Sequence, residues 1–155
     1  MVVHYYRMRE GQEDSVAVFI QSLFADYGAK FETKLSPQVL RDNREFLNVE
    51  VAEENDALIG FCAWTYNFST WRGIKGMYIA DLFVNSMNQH HEVARNLLQL
   101  AARNGRKGGA EFMRAEVDVT DEAHSEVFEK VGFWSQKRHA MHFLEADKFR
   151  LFTAD

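Results

Sequence analysis

The alternation of apolar and polar residues along the chain predicts short strands interleaved with amphipathic helices. The predicted strands are Val3–Met8, Asn48–Ala52, Ala57–Tyr66, Gly76–Val84, Phe112–Val117 and His139–Leu144. Apolar residues at helical spacing predict helices over Glu13–Ala25, from Ser36 to about Asn43, from about Val93 to the glycines near Gly105, over Asp121–Val131 and from Asp147. This order indicates an α/β (α+β) fold, in which a mixed sheet of about six or seven strands lies between two helix layers.

Capping and turn residues mark several boundaries. Ser36 is a good helix cap, and Pro37 suits the first helical position. The polar turn Glu53–Asp56 joins two strands into a predicted antiparallel hairpin. Gly132 is predicted to end the helix Asp121–Val131. No repeat and no low-complexity linker interrupts the pattern, so residues 1–155 are expected to form one domain.

The composition and charge limit the classes of molecule that the protein is expected to bind. Hydrophobic residues make up 46% of the 155 positions, which is enough for one sizeable core, and the formal net charge of −5 argues against nucleic-acid binding. A cationic small molecule is the more natural partner. Cys62 is the only cysteine and lies in an apolar run, so a buried core thiol is a better reading than a nucleophile. With no apolar stretch near the roughly 20 residues that span a bilayer and no leader pattern, a cytoplasmic protein without membrane contact is expected.

Residues Met77–Leu98 form the most informative stretch, since they predict a buried strand, a tight loop and an amphipathic helix in succession. The first turn of such a helix offers unpaired N–H groups and the positive end of the helix dipole to an anion. Glu92 is unfavourable there, because its carboxylate repels an anion. The same residue is also an ordinary helix-stabilising acid, worth roughly 0.3 to 1 kcal/mol in a first turn.

The element order and several short motifs resemble the N-acetyltransferases of the GNAT superfamily over nearly the whole chain. The motifs are Ala25–Tyr27, Trp71–Gly73, Met77–Val84 and Val127–Phe133, and the middle two are most similar to the diamine (spermidine/spermine) branch. The resemblance implies a mostly antiparallel sheet with helices on both faces, acetyl-coenzyme A as cosubstrate, and a homodimer to which His139–Leu144 could contribute.

The same resemblance assigns the cofactor residues. Leu82, Phe83 and Val84 would lie beside the pantetheine arm, and the loop that follows would hold the pyrophosphate through a Q/R-x-x-G-x-G/A pattern. In this chain the pattern reads Gln89, His90, His91, Glu92, Val93 and Ala94, so Glu92 replaces the central glycine, while Arg95 either meets a phosphate or is a surface charge. The two histidines could add positive charge below a pKa near 6.5. They are not expected to bind a metal.

Phe128 is a second departure from the family. Many members carry a tyrosine at this position that resembles a general acid for the departing thiolate, and phenylalanine has no proton to give. A thiol with a pKa near 8.5 still leaves without protonation, so turnover need not be lost. Phe128 could pack against the sulfur end of the cofactor or simply fill the core.

The acceptor site is expected to hold carboxylates and aromatic side chains, because an ammonium group is attracted to both and must be deprotonated before it attacks. Asp81 is the predicted catalytic residue, and the candidate substrate-binding residues are Tyr27, Tyr66, Trp71, Tyr78 and Asp81. The aromatic residues are equally explained by core or hairpin packing. The diamine branch carries a Glu-Asp pair where this chain has Ala80-Asp81.

Two functions follow from these residues. One is an N-acetyltransferase that moves an acetyl group to a primary amine of a polyamine or a lysine-like small molecule, by direct attack in a ternary complex. The other is a binding or interaction protein that keeps the acetyltransferase fold but has a weakened coenzyme A site, as Glu92 and Phe128 suggest.

Overall fold

A computed structural model describes residues 2–26, 33–85, 90–118, 120–136 and 138–154 of the chain. The strands are β1 (Val3–Arg7), β2 (Asn48–Glu54), β3 (Ala57–Ser69), β4 (Ile74–Val84) and β5 (Met113–Ala115). The helices are α1 (Glu13–Asp26), α2 (Pro37–Asp42), α3 (His90–Lys107), α4 (Glu122–Val131) and α5 (Ala146–Phe152). Among the described residues, no helix is long and apolar enough to cross a membrane.

The five strands of the described chain form one sheet in the order β1-β2-β3-β4-β5. The first three pairings are antiparallel and β4 pairs with β5 in parallel, so the predicted mixed, mostly antiparallel sheet is confirmed with fewer strands than expected. The predicted strand His139–Leu144 was wrong, since these residues are irregular and exposed. An apolar run becomes a strand only where another strand pairs with it, and this run has no such partner among the described residues.

The predicted caps and turns are present. Ser36 Oγ accepts a hydrogen bond from the Val39 amide at 3.2 Å, with Pro37 next to it in the first turn. Asn55 and Asp56 adopt positive φ angles of 51° and 62°, as a two-residue hairpin turn requires. Gly132 ends α4 with φ of 108°, a left-handed conformation that glycine adopts at little cost. Local side-chain chemistry therefore sets these boundaries.

Each face of the sheet packs against its own helix layer. On one face Trp64, Met77 and Ile79 lie under α3 and α4, whose buried residues include Val93, Leu97, Leu98, Ala101 and Val127. On the other face Val51 and Phe61 pack against α1 and α2 through Val16, Ile20 and Leu40. Cys62 is fully buried, and burial raises the pKa of its thiol, which fits the prediction of a core cysteine.

Candidate functional site

The sheet opens where β4 parts from β5. Pairing between these strands covers only Met77–Ile79 against Met113–Ala115. On its other side β4 remains paired with β3 to its end, where Val84 faces Gly60. Beyond Ile79, β4 therefore has a register partner on one side alone within the described chain, and a cleft forms between the carboxyl ends of two parallel strands.

A β-bulge at Ala80 sets the direction of the side chains along this cleft. Ile79 is paired with Trp64 and Asp81 with Ala63, so Ala80 is an extra residue in the ladder. Ile79 lies on the α3 face of the sheet, whereas Ala63, and hence its register partner Asp81, lies on the α1 face. In a regular strand, with Ala80 paired, Ile79 and Asp81 would share one face.

The backbone of β4 presents hydrogen-bonding groups to the cleft. The Asn85 amide donates to the Ile59 carbonyl at 2.6 Å, so it points toward β3. Because successive amides of a strand point in opposite directions, those of Leu82 and Val84 point toward the cleft. An extended ligand lying along this edge could pair with them as another strand would.

Asp81 and Tyr78 lie on the same face beside the cleft. Burial raises the pKa of Asp81 above its ordinary value. The Tyr78 hydroxyl donates a 2.7 Å hydrogen bond to Glu116, which follows β5 on the opposite wall. Burial first, and then the Glu116 carboxylate, raises the pKa of Tyr78 to about 12, so this phenol keeps its proton at neutral pH. The sequence reasoning missed Glu116, whose only signal was its position just after a strand.

The other candidate substrate residues lie elsewhere. Tyr66 is on the α3 face, where its ring packs edge-to-face on Trp64 at 5.1 Å and lies 4.4 Å from Lys75 Nζ. Trp71 is 99% exposed in the turn before β4. From Ile74, where β4 begins, the strand runs about 23 Å to Asp81 at about 3.3 Å per residue, so Trp71 is far from that carboxylate. Tyr27 lies outside the described residues. The structure therefore brings only Tyr78 together with Asp81.

The first turn of α3 carries most of the remaining cofactor candidates. Val93 and Ala94 are buried against the sheet, which fixes the helix start, while the Glu92 side chain is exposed. His91 Nε2 lies 3.7 Å from Glu126 on α4, and Arg95 lines a groove of about 270 Å³ with Met113 and Lys130. Gln89 lies outside the described residues, as does the side chain of His90. Glu92 thus points its charge into solvent, where repulsion of an anion is weakened.

Aromatic rings from α4 and β4 contact one another near the end of β4. Phe128 is buried, and the centroid of its ring lies 5.1 Å from that of Phe133 and 5.4 Å from that of His124. His124 also approaches Phe83 at 6.5 Å, and Phe83 stacks on Phe61 at 5.7 Å. His124 was missed in the sequence, although it precedes Phe128 by one helical turn and so shares its face.

Comparison with known proteins agrees with this geometry. The sequence model of the acetyltransferase (GNAT) family matches residues 12–133. Among solved structures, a probable acetyltransferase is 24% identical with a TM-score of 0.78, and the match covers 93% of this chain and 98% of that chain. No curated protein matches the sequence.

Two further solved structures were determined with ligands. An aminoglycoside acetyltransferase from an uncultured soil metagenomic sample, in complex with sisomicin, is 16% identical with a TM-score of 0.77, covering 93% of this chain and 95% of that one. A predicted acetyltransferase from Clostridium acetobutylicum with acetyl-CoA is 14% identical with a TM-score of 0.74, covering 92% and 97%. At these identities the likeness shows the fold.

Proposed function

Because this chain belongs to the acetyltransferase (GNAT) family, we propose that it transfers an acetyl group from acetyl-CoA to a primary amine of a small molecule by direct attack in a ternary complex. The observation that carries the proposal is the position of Asp81. The bulge at Ala80 puts this carboxylate on the α1 face at the open edge of β4, and burial raises its pKa, which makes it a stronger base than an exposed aspartate.

The described residues fit an extended anionic thioester donor. The amides of Leu82 and Val84 would hold the pantetheine arm along the free edge of β4, with Phe83 beside it. The first turn of α3, with Glu92, Val93, Ala94 and Arg95, would face the phosphates, and Gln89, His90 and His91 complete the proposed loop. When bound, acetyl-CoA supplies an activated acetyl group on sulfur.

The acceptor would lie on the α1 side of β4. Asp81 would orient the amine and accept its proton, directly or through water, and the Tyr78–Glu116 pair would form the facing wall. Two carboxylates at this point, Asp81 and Glu116, favour a cationic acceptor such as a polyamine or a lysine-like compound. The fold likeness to an aminoglycoside acetyltransferase also supports a small molecule that carries amino groups.

A steady-state assay with acetyl-CoA and a panel of amines tests this function. The panel would contain diamines, spermidine, lysine and an aminoglycoside, with release of free thiol as the readout. We expect turnover with at least one cationic amine. Absence of turnover with every amine, while acetyl-CoA demonstrably binds, would contradict the proposal.

The second candidate is an acetyltransferase-fold binding protein with impaired catalysis. Two observations favour it: Glu92 brings a negative charge to the first turn of α3, and Phe128 is a core residue with no proton to donate. A thermal-shift titration separates the two candidates. A ligand at about 100 times its dissociation constant stabilises the folded protein by roughly 2.7 kcal/mol, so an unchanged Tm at millimolar acetyl-CoA would favour the binding protein.

We further propose that two copies associate through the C-terminal segment, residues 138–154. Its described side chains are all exposed, and the large apolar ones are Met141, Phe143, Leu144, Phe149, Leu151 and Phe152. Exposed apolar groups in such number are characteristic of an interaction surface. The complementary surface is the outer edge of β5 and the adjoining groove, where Lys130 would meet Glu145 of the segment.

Light scattering during gel filtration tests the association. The native protein should elute with twice the mass of one chain, and the double variant Phe143→Ser, Phe149→Ser should elute as a monomer. Trp71→Ser removes an even more exposed aromatic residue elsewhere and serves as the control. A monomeric native protein at every concentration would contradict the proposal.

A further inference from the structure

We propose that His124 is a further catalytic residue, whose Nε2–H gives a proton to the sulfur of the acyl donor as the thiolate leaves. The inference rests on the proposed acetyl transfer and adds a residue to it. His124 would supply the proton that Phe128 cannot.

The position of His124 is the first support. It occupies the second turn of α4, four residues before Phe128, so both side chains project from the same face of the helix. Its ring lies 5.4 Å from Phe128 and 6.5 Å from Phe83 on β4. The imidazole therefore lies between a ring of α4 and a ring of β4, at the level where β4 has already parted from β5.

The hydrogen-bonding state of the ring is the second support. Nε2 of His124 is sealed from solvent and has no hydrogen-bond partner among the described residues. Buried polar nitrogens nearly always have a partner, because leaving one unpaired is costly. A nitrogen kept unpaired in a cleft between aromatic rings is suited to meet an atom of a ligand, and a thioester sulfur is such an atom.

Neighbouring groups hold the ring in place without occupying Nε2. The backbone amide of His124 donates to Asp121 Oδ1 at 3.0 Å, which fixes the start of α4. Hydrogen bonds from the Thr120 hydroxyl and amide hold the pKa of Asp118 below its ordinary value, and the imidazole of His124 adds to the lowering, so this carboxylate and the ring lie close together.

The chemical step balances with the residues named. The amine nitrogen forms a bond to the acetyl carbon, the carbon–sulfur bond breaks, and its electron pair goes to sulfur. His124 Nε2 gives its proton to that sulfur, so a neutral thiol leaves. The proton lost by the amine passes to Asp81 and then to solvent, from which the imidazole recovers a proton.

The leaving-group dependence of His124→Gln tests this role. With acetyl-CoA, we expect kcat/KM to fall about 10²-fold, the lower end of the contribution of a general acid. With an aryl thioacetate, whose thiol is more acidic and leaves without a proton, the loss should shrink to a few-fold. His4→Gln, on the far edge strand β1, is the matched control and should leave kcat/KM unchanged with both acyl donors.

An equal loss with both donors would overturn the proposal, because a packing role would not distinguish the leaving groups. No turnover by the native protein with any amine would instead overturn the acetyltransferase function itself, and the role of His124 with it. Binding gives an independent readout in protein with ¹⁵N-labelled histidine. Coenzyme A should shift the His124 ring resonances and desulfo-coenzyme A should not, whereas identical spectra with the two ligands would exclude contact with sulfur.

Discussion

The two halves of β4 differ in the pairing of the strand edge that faces β5. The first half, Ile74–Ile79, pairs with β3 on one side and, at its end, with β5 on the other, and Met77 and Ile79 are buried. The second half, Asp81–Val84, pairs with β3 alone and carries a carboxylate beside the cleft. One continuous strand is thus paired on both edges just before the Ala80 bulge and on one edge alone beyond it.

The comparison shows how a rigid scaffold can support a site that is itself incomplete. A strand paired on both edges has its backbone groups satisfied, so substitutions around it should act on folding. A strand with one open edge offers amides to a ligand, so substitutions there should act on binding and turnover. This separation gives five predictions.

The largest effect on stability is expected from Trp64→Ala on β3, beside the first half of β4, where Trp64 is the register partner of Ile79. Trp64 is fully buried, and its Nε1 donates a 3.1 Å hydrogen bond to Glu50. Loss of the ring should lower the free energy of unfolding by about 3–5 kcal/mol, as measured by urea denaturation. Trp71→Ala, at 99% exposure, should change it by no more than about 0.5 kcal/mol. Equal losses in both variants would contradict the comparison.

Asp81→Asn, in the second half of β4, should lower activity rather than stability. We expect kcat/KM for the amine to fall about 10²- to 10⁴-fold, since the variant has no carboxylate to accept the proton. The raised pKa of Asp81 means that its buried charge costs stability above that pKa and that the cost disappears as the pH falls and the group is protonated. The variant should therefore be at least as stable as the native protein at pH 7, and the difference should vanish in acid.

The same pKa sets the pH dependence of the native enzyme. The rate should fall as the pH is lowered through the raised pKa of Asp81, because the base is then protonated. A rate profile flat down to pH 4, near the pKa of an exposed aspartate, would show that Asp81 is not the base.

A smaller effect is expected from Tyr78→Phe, which removes the hydroxyl that donates to Glu116. Loss of one hydrogen bond in the acceptor wall should lower kcat/KM by about 2- to 10-fold. Tyr5→Phe is the control, since the Tyr5 hydroxyl bonds to Asn96 near the opposite edge of the sheet. A loss as large as that of Asp81→Asn would instead assign Tyr78 a direct role in proton transfer.

The smallest effect is expected from Glu92→Gln in the first turn of α3. An exposed carboxylate about 4 Å from an anion costs roughly 1 kcal/mol in water, so the affinity for coenzyme A should rise about fivefold in calorimetry. Glu111→Gln, at the opposite end of β4 next to Lys75, should leave the affinity unchanged. If both variants bind as the native protein does, Glu92 does not weaken the site.

The sequence predicted the elements that local signals define. Ser36 and Pro37 started α2, Gly132 ended α4, and the Asn55-Asp56 turn closed the hairpin, because each of these residues acts on its own backbone. The run His139–Leu144 carries the same apolar signal as a strand but forms none, since strand formation depends on a distant partner that its own residues do not encode.

The candidate site was only partly predictable for the same reason. Asp81 and Tyr78 come together, whereas Tyr66 does not, because a bulge that has no sequence signature here sets the face on which Asp81 lies. Trp71 is distant because it lies in the turn before β4. Glu116 and His124 reach the cleft through the divergence of β5 from β4 and the packing of α4. Both are tertiary features, so neither residue could be selected from spacing alone.

The bulge at Ala80 also decides which codon of β4 can be lost. Deletion of Ala80 would remove the extra residue and restore simple alternation, so Asp81 would follow Ile79 directly and stay opposite Ala63 on the α1 face. Deletion of a paired residue such as Leu82 would instead exchange the faces of the residues that follow it in the strand. In-frame deletions in this gene should therefore be tolerated far less at the codon for Leu82 than at the codon for Ala80.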